Sequence, residues 1–201
     1  MLSLKNITLN FNGRNIFNNL SYSFKPSTTY LIRGESGTGK TTLLNIIANY
    51  ITNYSGSVEL DSKDRIGYLY QDETLFSNLT VLENMFIKAN AKDFINDFDS
   101  RAVSILETLK IKDLINRKVE MLSGGEKQRV QIACMLLDEP NIILMDEPTS
   151  KLDVQNVSIV HDIIETVFSD KTVIIVTHNL NSHITNEVNL LLKNGGLFNE
   201  E

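Results

Sequence analysis

The stretch Thr29-Tyr30-Leu31-Ile32-Arg33-Gly34-Glu35-Ser36-Gly37-Thr38-Gly39-Lys40-Thr41-Thr42-Leu43-Leu44-Asn45-Ile46-Ile47-Ala48 decides the fold. Its centre, Gly34 to Thr41, fits the pattern G-x-x-x-x-G-K-[ST] at every position. Residues 29–32 read as a short buried strand and residues 41–48 as an amphipathic helix. Strand, glycine-rich turn and helix N-terminus in that order make a phosphate-binding loop. Gly34, Gly37 and Gly39 let the backbone turn tightly and aim N–H groups at phosphate oxygens. The helix N-terminus adds partial positive charge at the same point. Lys40 supplies a point charge for the β- and γ-phosphates, and the Thr41 hydroxyl can ligate Mg²⁺. Glu35, Ser36, Thr38 and Thr42 complete the set of loop residues expected around a bound nucleotide.

Further along, Ile142-Ile143-Leu144-Met145 has the β-branched and aliphatic character of a central parallel strand. Asp146 falls at its carboxyl end, where open α/β sheets place ligands. A carboxylate there can hold the Mg²⁺ that Thr41 also touches. Glu147 points to a different side and is the candidate to polarise an attacking water. Val173-Ile174-Ile175-Val176-Thr177 reads as another buried strand, and His178 closes it at the same end of the sheet. Between the two halves stands Leu122-Ser123-Gly124-Gly125-Glu126. Ser123 is a good N-cap, Glu126 is at the capping-box position, and an amphipathic run follows to Leu137.

Taken together, these residues resemble the ATP-binding subunit of an ATP-binding-cassette (ABC) transporter, over about residues 2–192. The resemblance implies a P-loop NTPase core of the ABC type: α/β, with a mainly parallel sheet, an antiparallel β subdomain and an inserted helical subdomain. It implies ATP and Mg²⁺ as ligands and two cassettes sandwiching two ATP molecules. In that family the LSGGE segment is the signature motif, so Ser123 and Gly125 would complete the shell of the ATP held by the partner cassette. Gln71 resembles the family's glutamine that touches Mg²⁺ and faces the membrane partner, and residues 75–84 after it are very like the family sequence. Thr41, Gln71 and Asp146 are thus the expected metal ligands. Ser150-Lys151-Leu152-Asp153 resembles the loop that crosses the dimer interface, and His178 the switch histidine near the γ-phosphate. Lys40, Glu147 and His178 carry the expected catalysis. Phe11 is the expected adenine-stacking aromatic, where Tyr or Trp is commoner in the family, with Phe17 as the alternative. Ala133-Cys134 stands where the family often has Ala-Arg.

With 201 residues the chain can bury one substantial core, and we expect a single ABC ATPase domain. Residues 1–71 and 137–201 would form the nucleotide-binding core with its β subdomain, and 72–136 the helical signature subdomain. Strands are expected at 2–10, 15–24, 57–60 and 66–70, helices at 79–88, 100–109 and 153–168, and a strand, tight turn and strand across 189–198. Residues 90–99 read as a loop or weak helix with a solvated polar face. Net charge is −6 and the isoelectric point about 5.1, which argues against a nucleic-acid surface. One Cys, no Trp and no signal peptide fit a reducing cytosol, with Cys134 in the packed face of the signature helix. Only 23 residues follow His178, too few for the regulatory domain some importers append.

No apolar stretch approaches the ~20 residues that span a bilayer, so transport would need a separate membrane permease. The expected function is ATP hydrolysis by a homodimer, or a heterodimer with a second nucleotide-binding subunit, at the cytoplasmic face of the membrane. The cassette would power a permease. The 34–47 segment resembles small stand-alone subunits of peptide, lipoprotein or antibiotic export, so export of a peptide or antimicrobial is the favoured direction. The alternative is an ABC ATPase that regulates a cell-envelope or other non-transport complex. DNA-maintenance relatives insert a coiled coil or a zinc site, whereas here only 52 residues separate Gln71 from Ser123, with no heptads and no Cys pairs.

Overall fold

The computed structural model describes all residues except 12, 90–96, 179–183, 185, 186 and 201. The chain begins with β1 (Leu2–Phe11) and β2 (Arg14–Phe24), an antiparallel pair. Next come β3 (Thr29–Arg33), the phosphate loop and α1 (Lys40–Ile47), then β4 (Ser55–Glu59) and β5 (Ile66–Leu69). Helices α2 (Val81–Lys88), α3 (Phe98–Thr108) and α4 (Gly124–Leu136) follow. The chain then returns to the sheet as β6 (Ile142–Asp146), α5 (Val154–Thr166) and β7 (Thr172–Val176), and ends in β8 (Val188–Lys193) and β9 (Gly196–Asn199).

Two sheets result. β2-β1-β4 is a three-stranded antiparallel sheet; β5-β6-β7-β3-β8-β9 is a six-stranded sheet, parallel up to β8, with β9 antiparallel at the edge. The central strands are apolar without interruption because both faces are covered. Alternate side chains serve different cores. Leu31, Ile143, Met145, Val173 and Ile175 pack with α2, α3, α4 and α5. Tyr30, Ile32, Leu144, Ile174 and Val176 pack with α1 and the antiparallel sheet. All carboxyl ends of the parallel strands point the same way, so Arg33, Asp146 and Val176 deliver the segments after them to one edge.

The expected strands form, shifted by a residue or two. The terminal hairpin turns at Asn194 and Gly195, with φ of 52° and 74°, the two left-handed positions of a type I′ turn. Helix α2 starts at Val81 instead of Leu79, because Thr80 and Glu83 form a capping box that fixes its first turn. Helix α3 starts at Phe98, so the end of the 90–99 stretch, read as a loop or weak helix, is helical, while 90–96 lie outside the described residues. The signature helix is not amphipathic along its length. Val130 to Met135 are all buried, because α4 is covered by β5 on one side and by α2 and α3 on others. Gln131 is the polar member of that run, and its Nε2 donates to the Asp72 carbonyl at 3.2 Å. Among the described residues no helix is long and apolar enough to cross a membrane.

Candidate functional site

Strand β3 hands the chain to the phosphate loop, and the loop hands it to α1. Gly39 has a φ of 102°, and a Cβ there would sit 2.8 Å from Ile16 Cγ2, so both backbone and packing require glycine. At Gly34 a Cβ would meet the Leu192 carbonyl oxygen at 2.7 Å, so β8 can pass close under the loop. The loop's carbonyls are engaged from within. Thr38 Oγ1 donates to the Glu35 carbonyl at 2.9 Å, and Lys40 Nζ donates to the carbonyls of Gly34 and Glu35 at 2.8 and 3.0 Å. Among the described residues no side chain caps α1, which leaves its first-turn amides to an anion.

A cavity of about 370 Å³ opens in front of the loop. Ser36, Gly37, Gly39, Lys40, Thr41 and Thr42 line it from the loop side; Gln71, Asp146, Glu147 and His178 line the opposite wall, with Ile16 at one end. The two carboxylates diverge. Asp146, 5% exposed, accepts a hydrogen bond from Thr41. Burial pushes its carboxyl up, the Thr41 bond and the Lys40 charge pull it down, and the Glu147 charge pushes it up again. A divalent cation is the partner such a buried carboxylate suits. The oxygen donors Thr41, Gln71 and Asp146 match the hard character of Mg²⁺, and Lys40 with the uncapped amides at the start of α1 matches a triphosphate, so Mg²⁺ and ATP fit.

Glu147 has a φ of 48°, a left-handed conformation that costs a non-glycine residue ~1–3 kcal/mol and is held where structure over-determines it. Its amide donates to the Val176 carbonyl at 2.9 Å, extending the β6–β7 pairing by one residue. Its carboxylate meets two partners from β7's end: Thr177 Oγ1 donates to Oε2 at 3.1 Å, and His178 Nδ1 lies 2.7 Å from Oε1. Thr177 is a site residue that sequence reasoning passed over, as is Ile16 on the cavity wall. Reading Thr177 as the last residue of an apolar strand concealed that its hydroxyl turns toward Glu147.

Other expected residues lie apart from this cavity. Phe11 ends β1 at 64% exposed, whereas Phe17 is fully buried opposite Leu9 and has no face to offer a nucleobase. Gly34 lies against the Leu192 carbonyl of β8 and does not line the cavity, and Glu35 and Thr38 line a neighbouring cavity of about 420 Å³ with Arg14 and Lys193. Ser123 and Gly125, at the start of α4, do not line the nucleotide cavity. Ser123 Oγ accepts from the Glu126 amide at 3.3 Å while Glu126 Oε2 accepts from the Ser123 amide at 2.7 Å. Gly125 is hemmed in by Asn156 of α5: a Cβ would fall 1.7 Å from Asn156 Oδ1. Lys151 Nζ donates to Asp72 Oδ1 at 2.8 Å and Lys127 lies 3.3 Å from Glu73, so the segment after Gln71 is bonded to both neighbouring motifs.

A family model described as "ABC transporter" matches residues 17–150. The lipoprotein-releasing system ATP-binding protein of Treponema denticola is 33% identical over 200 residues, 90% of this chain and 88% of that protein. The phosphonates import ATP-binding protein of Fusobacterium nucleatum is 32% identical over 225 residues, 98% of this chain and 91% of that protein. Among solved structures, a nucleotide-free ATP-binding cassette from an ABC transporter superposes with a TM-score of 0.84 at 26% identity, covering 98% of this chain and 89% of that one. A dimeric post-hydrolysis cassette bound to ADP and Pi superposes with a TM-score of 0.77 at 30% identity, covering 100% and 98%. The loop, the diverging carboxylates and these likenesses agree, and the chain belongs to the ABC transporter family as an ATP-hydrolysing cassette that uses ATP and Mg²⁺.

Proposed function

We propose that this chain drives transport through a separate membrane permease, and that it does so by closing with a second cassette around two ATP molecules. The observation that carries the reading is the divergence of Asp146 and Glu147: one carboxylate turned to Thr41, the other to Thr177 and His178 across the same cavity. In this reading Lys40, Thr41, Thr42 and the amides of the 34–41 loop bind the phosphates, and Phe11 stacks on adenine. Thr41, Gln71 and Asp146 hold Mg²⁺, which supplies neutralisation of the phosphate charge. Glu147 accepts a proton from the attacking water, and His178 contacts the γ-phosphate. Ser123 and Gly125 of one cassette complete the site of the other, in keeping with their place outside the cavity of their own chain. Closure then depends on the γ-phosphate, and its loss by hydrolysis reopens the pair.

Residues 72–136 act as the arm that passes this closure to the permease at the cytoplasmic face of the membrane. The bonds from Asp72 and Glu73 to Lys151 and Lys127 support this, since they join the Gln71 segment to the signature helix and to the loop after Glu147. We read the direction as export of a peptide or antimicrobial. Support comes from the likeness of the 34–47 segment to export subunits and from relatives named for lipoprotein release.

The test is Glu147→Gln protein with Mg-ATP. Light scattering should show a dimer that Mg-ADP does not give, and a tagged copy should carry a multi-span membrane protein out of detergent-solubilised cells. A monomer at saturating Mg-ATP refutes the homodimer, and capture of a soluble complex instead of a permease refutes transport. Full turnover by Lys40→Ala refutes the site itself.

A further inference from the structure

We propose that Thr177 is a positioning residue for hydrolysis, fixing one oxygen of the Glu147 carboxylate so that the other faces the attacking water. The proposal rests on the reading of Glu147 as the group that takes the water's proton.

Both oxygens of that carboxylate have partners, and the partners differ in kind. His178 reaches Oε1 from a side chain that is 67% exposed. Thr177 reaches Oε2 from a residue that is 3% exposed, with its backbone held to the sheet: its amide donates to the Ile32 carbonyl at 3.1 Å. Ile32 lies in β3, two residues before the phosphate loop. Thr177 therefore ties the carboxylate to the strand that places the phosphates. When His178 turns to the γ-phosphate it leaves Oε1, and Thr177 keeps Oε2. Thr177 keeps its own proton throughout; the water's proton passes to Oε1.

Thr177→Val removes the hydroxyl with little change of shape in a strand end that favours β-branched residues. Steady-state ATPase assays should show kcat down at least tenfold with KM for Mg-ATP within twofold, and a fluorescent ATP analogue should bind with unchanged affinity. Thr177→Ser, which restores the donor, should return kcat to within threefold. In a Glu147→Gln background Thr177→Val should change residual turnover by less than twofold, since the carboxylate it serves is gone. If thermal melting shows that Val perturbs folding, Thr177→Ala gives the same comparison. Wild-type kcat in Thr177→Val, or a Ser variant as slow as the Val variant, overturns the proposal. Wild-type kcat in Glu147→Gln overturns instead the reading on which it rests.

Discussion

Asn84→Ala should lower the stability of the whole cassette, although the residue lies outside the nucleotide cavity. Asn84 is fully buried on α2 and serves as the hub of the loop that precedes its own helix. Its Oδ1 accepts from the Phe76 amide at 2.7 Å, and its Nδ2 donates to the carbonyls of Phe76 at 3.0 Å and Thr80 at 2.9 Å, with a longer contact to that of Leu79 at 3.4 Å. A neutral intramolecular hydrogen bond contributes about 1 kcal/mol net, so loss of the three shorter bonds comes to about 3 kcal/mol. The Phe76 carbonyl still accepts from the Leu79 amide at 3.2 Å and the Thr80 carbonyl from the Asn84 amide at 3.0 Å, so neither acceptor is orphaned by the change. For a domain of this size each kcal/mol moves Tm by about 2–4 °C, giving a fall of about 6–12 °C. Circular dichroism melts of the parent and of Asn84→Ala measure it directly. Because the loop from Gln71 to α2 loses its anchor, KM for Mg-ATP should also rise. A melting temperature within 2 °C of the parent would refute the reasoning, since a buried amide with three good partners cannot then be the anchor described.

Ser123→Ala removes the N-cap of α4 and should cost about 1 kcal/mol, a fall in Tm of about 2–4 °C. In a Glu147→Gln background it should also abolish the ATP-dependent dimer seen by light scattering. Glu83, Glu126 and Asp153 are held below their ordinary pKa values, chiefly by bonds from backbone amides at helix starts. The unfolded chain therefore binds protons first, so their stabilisation is present above about pH 4.5 and lost as pH falls through the folded values. Melts between pH 6 and 3 should show a falling Tm, with a shallower fall in the Glu83→Gln, Glu126→Gln double variant. Burial pushes the Cys134 thiol up to about 12, so a thiol reagent at pH 8 should label the native chain at least ~100-fold more slowly than the denatured one.

Much of the architecture is legible in the order of residues, for identifiable reasons. β3, β6 and β7 read as unbroken apolar runs because helices or a second sheet cover both faces, and the loop pattern between β3 and α1 is local to a few residues. The capping box of α4 is equally local. What escaped the sequence depends on packing between distant segments. Thr177 becomes a partner of Glu147 only through the side-by-side register of β6, β7 and β3. Gly125 faces Asn156 only because two helix starts meet. The burial of every residue from Val130 to Met135 follows from the place of α4 among β5, α2 and α3, and no pattern within the helix discloses it. Phe11 and Phe17 look alike as letters. The pairing of Phe17 with Leu9 on the covered face of β1 and β2 separates them.

The alternation of side chains along the central strands has a consequence for how such a molecule diversifies. The helices α2, α3 and α4 draw on one set of strand residues and the phosphate-loop helix α1 on the other. Substitutions can therefore accumulate on the side that meets a changing neighbour while the side that grips the phosphates keeps its inherited packing. Strand length is the one thing neither side can alter alone. A single inserted or deleted residue in β6 or β7 would exchange the two sets at once, so lineages of this chain should vary in residue type mainly on the face turned to α2, α3 and α4 and hardly at all in strand length.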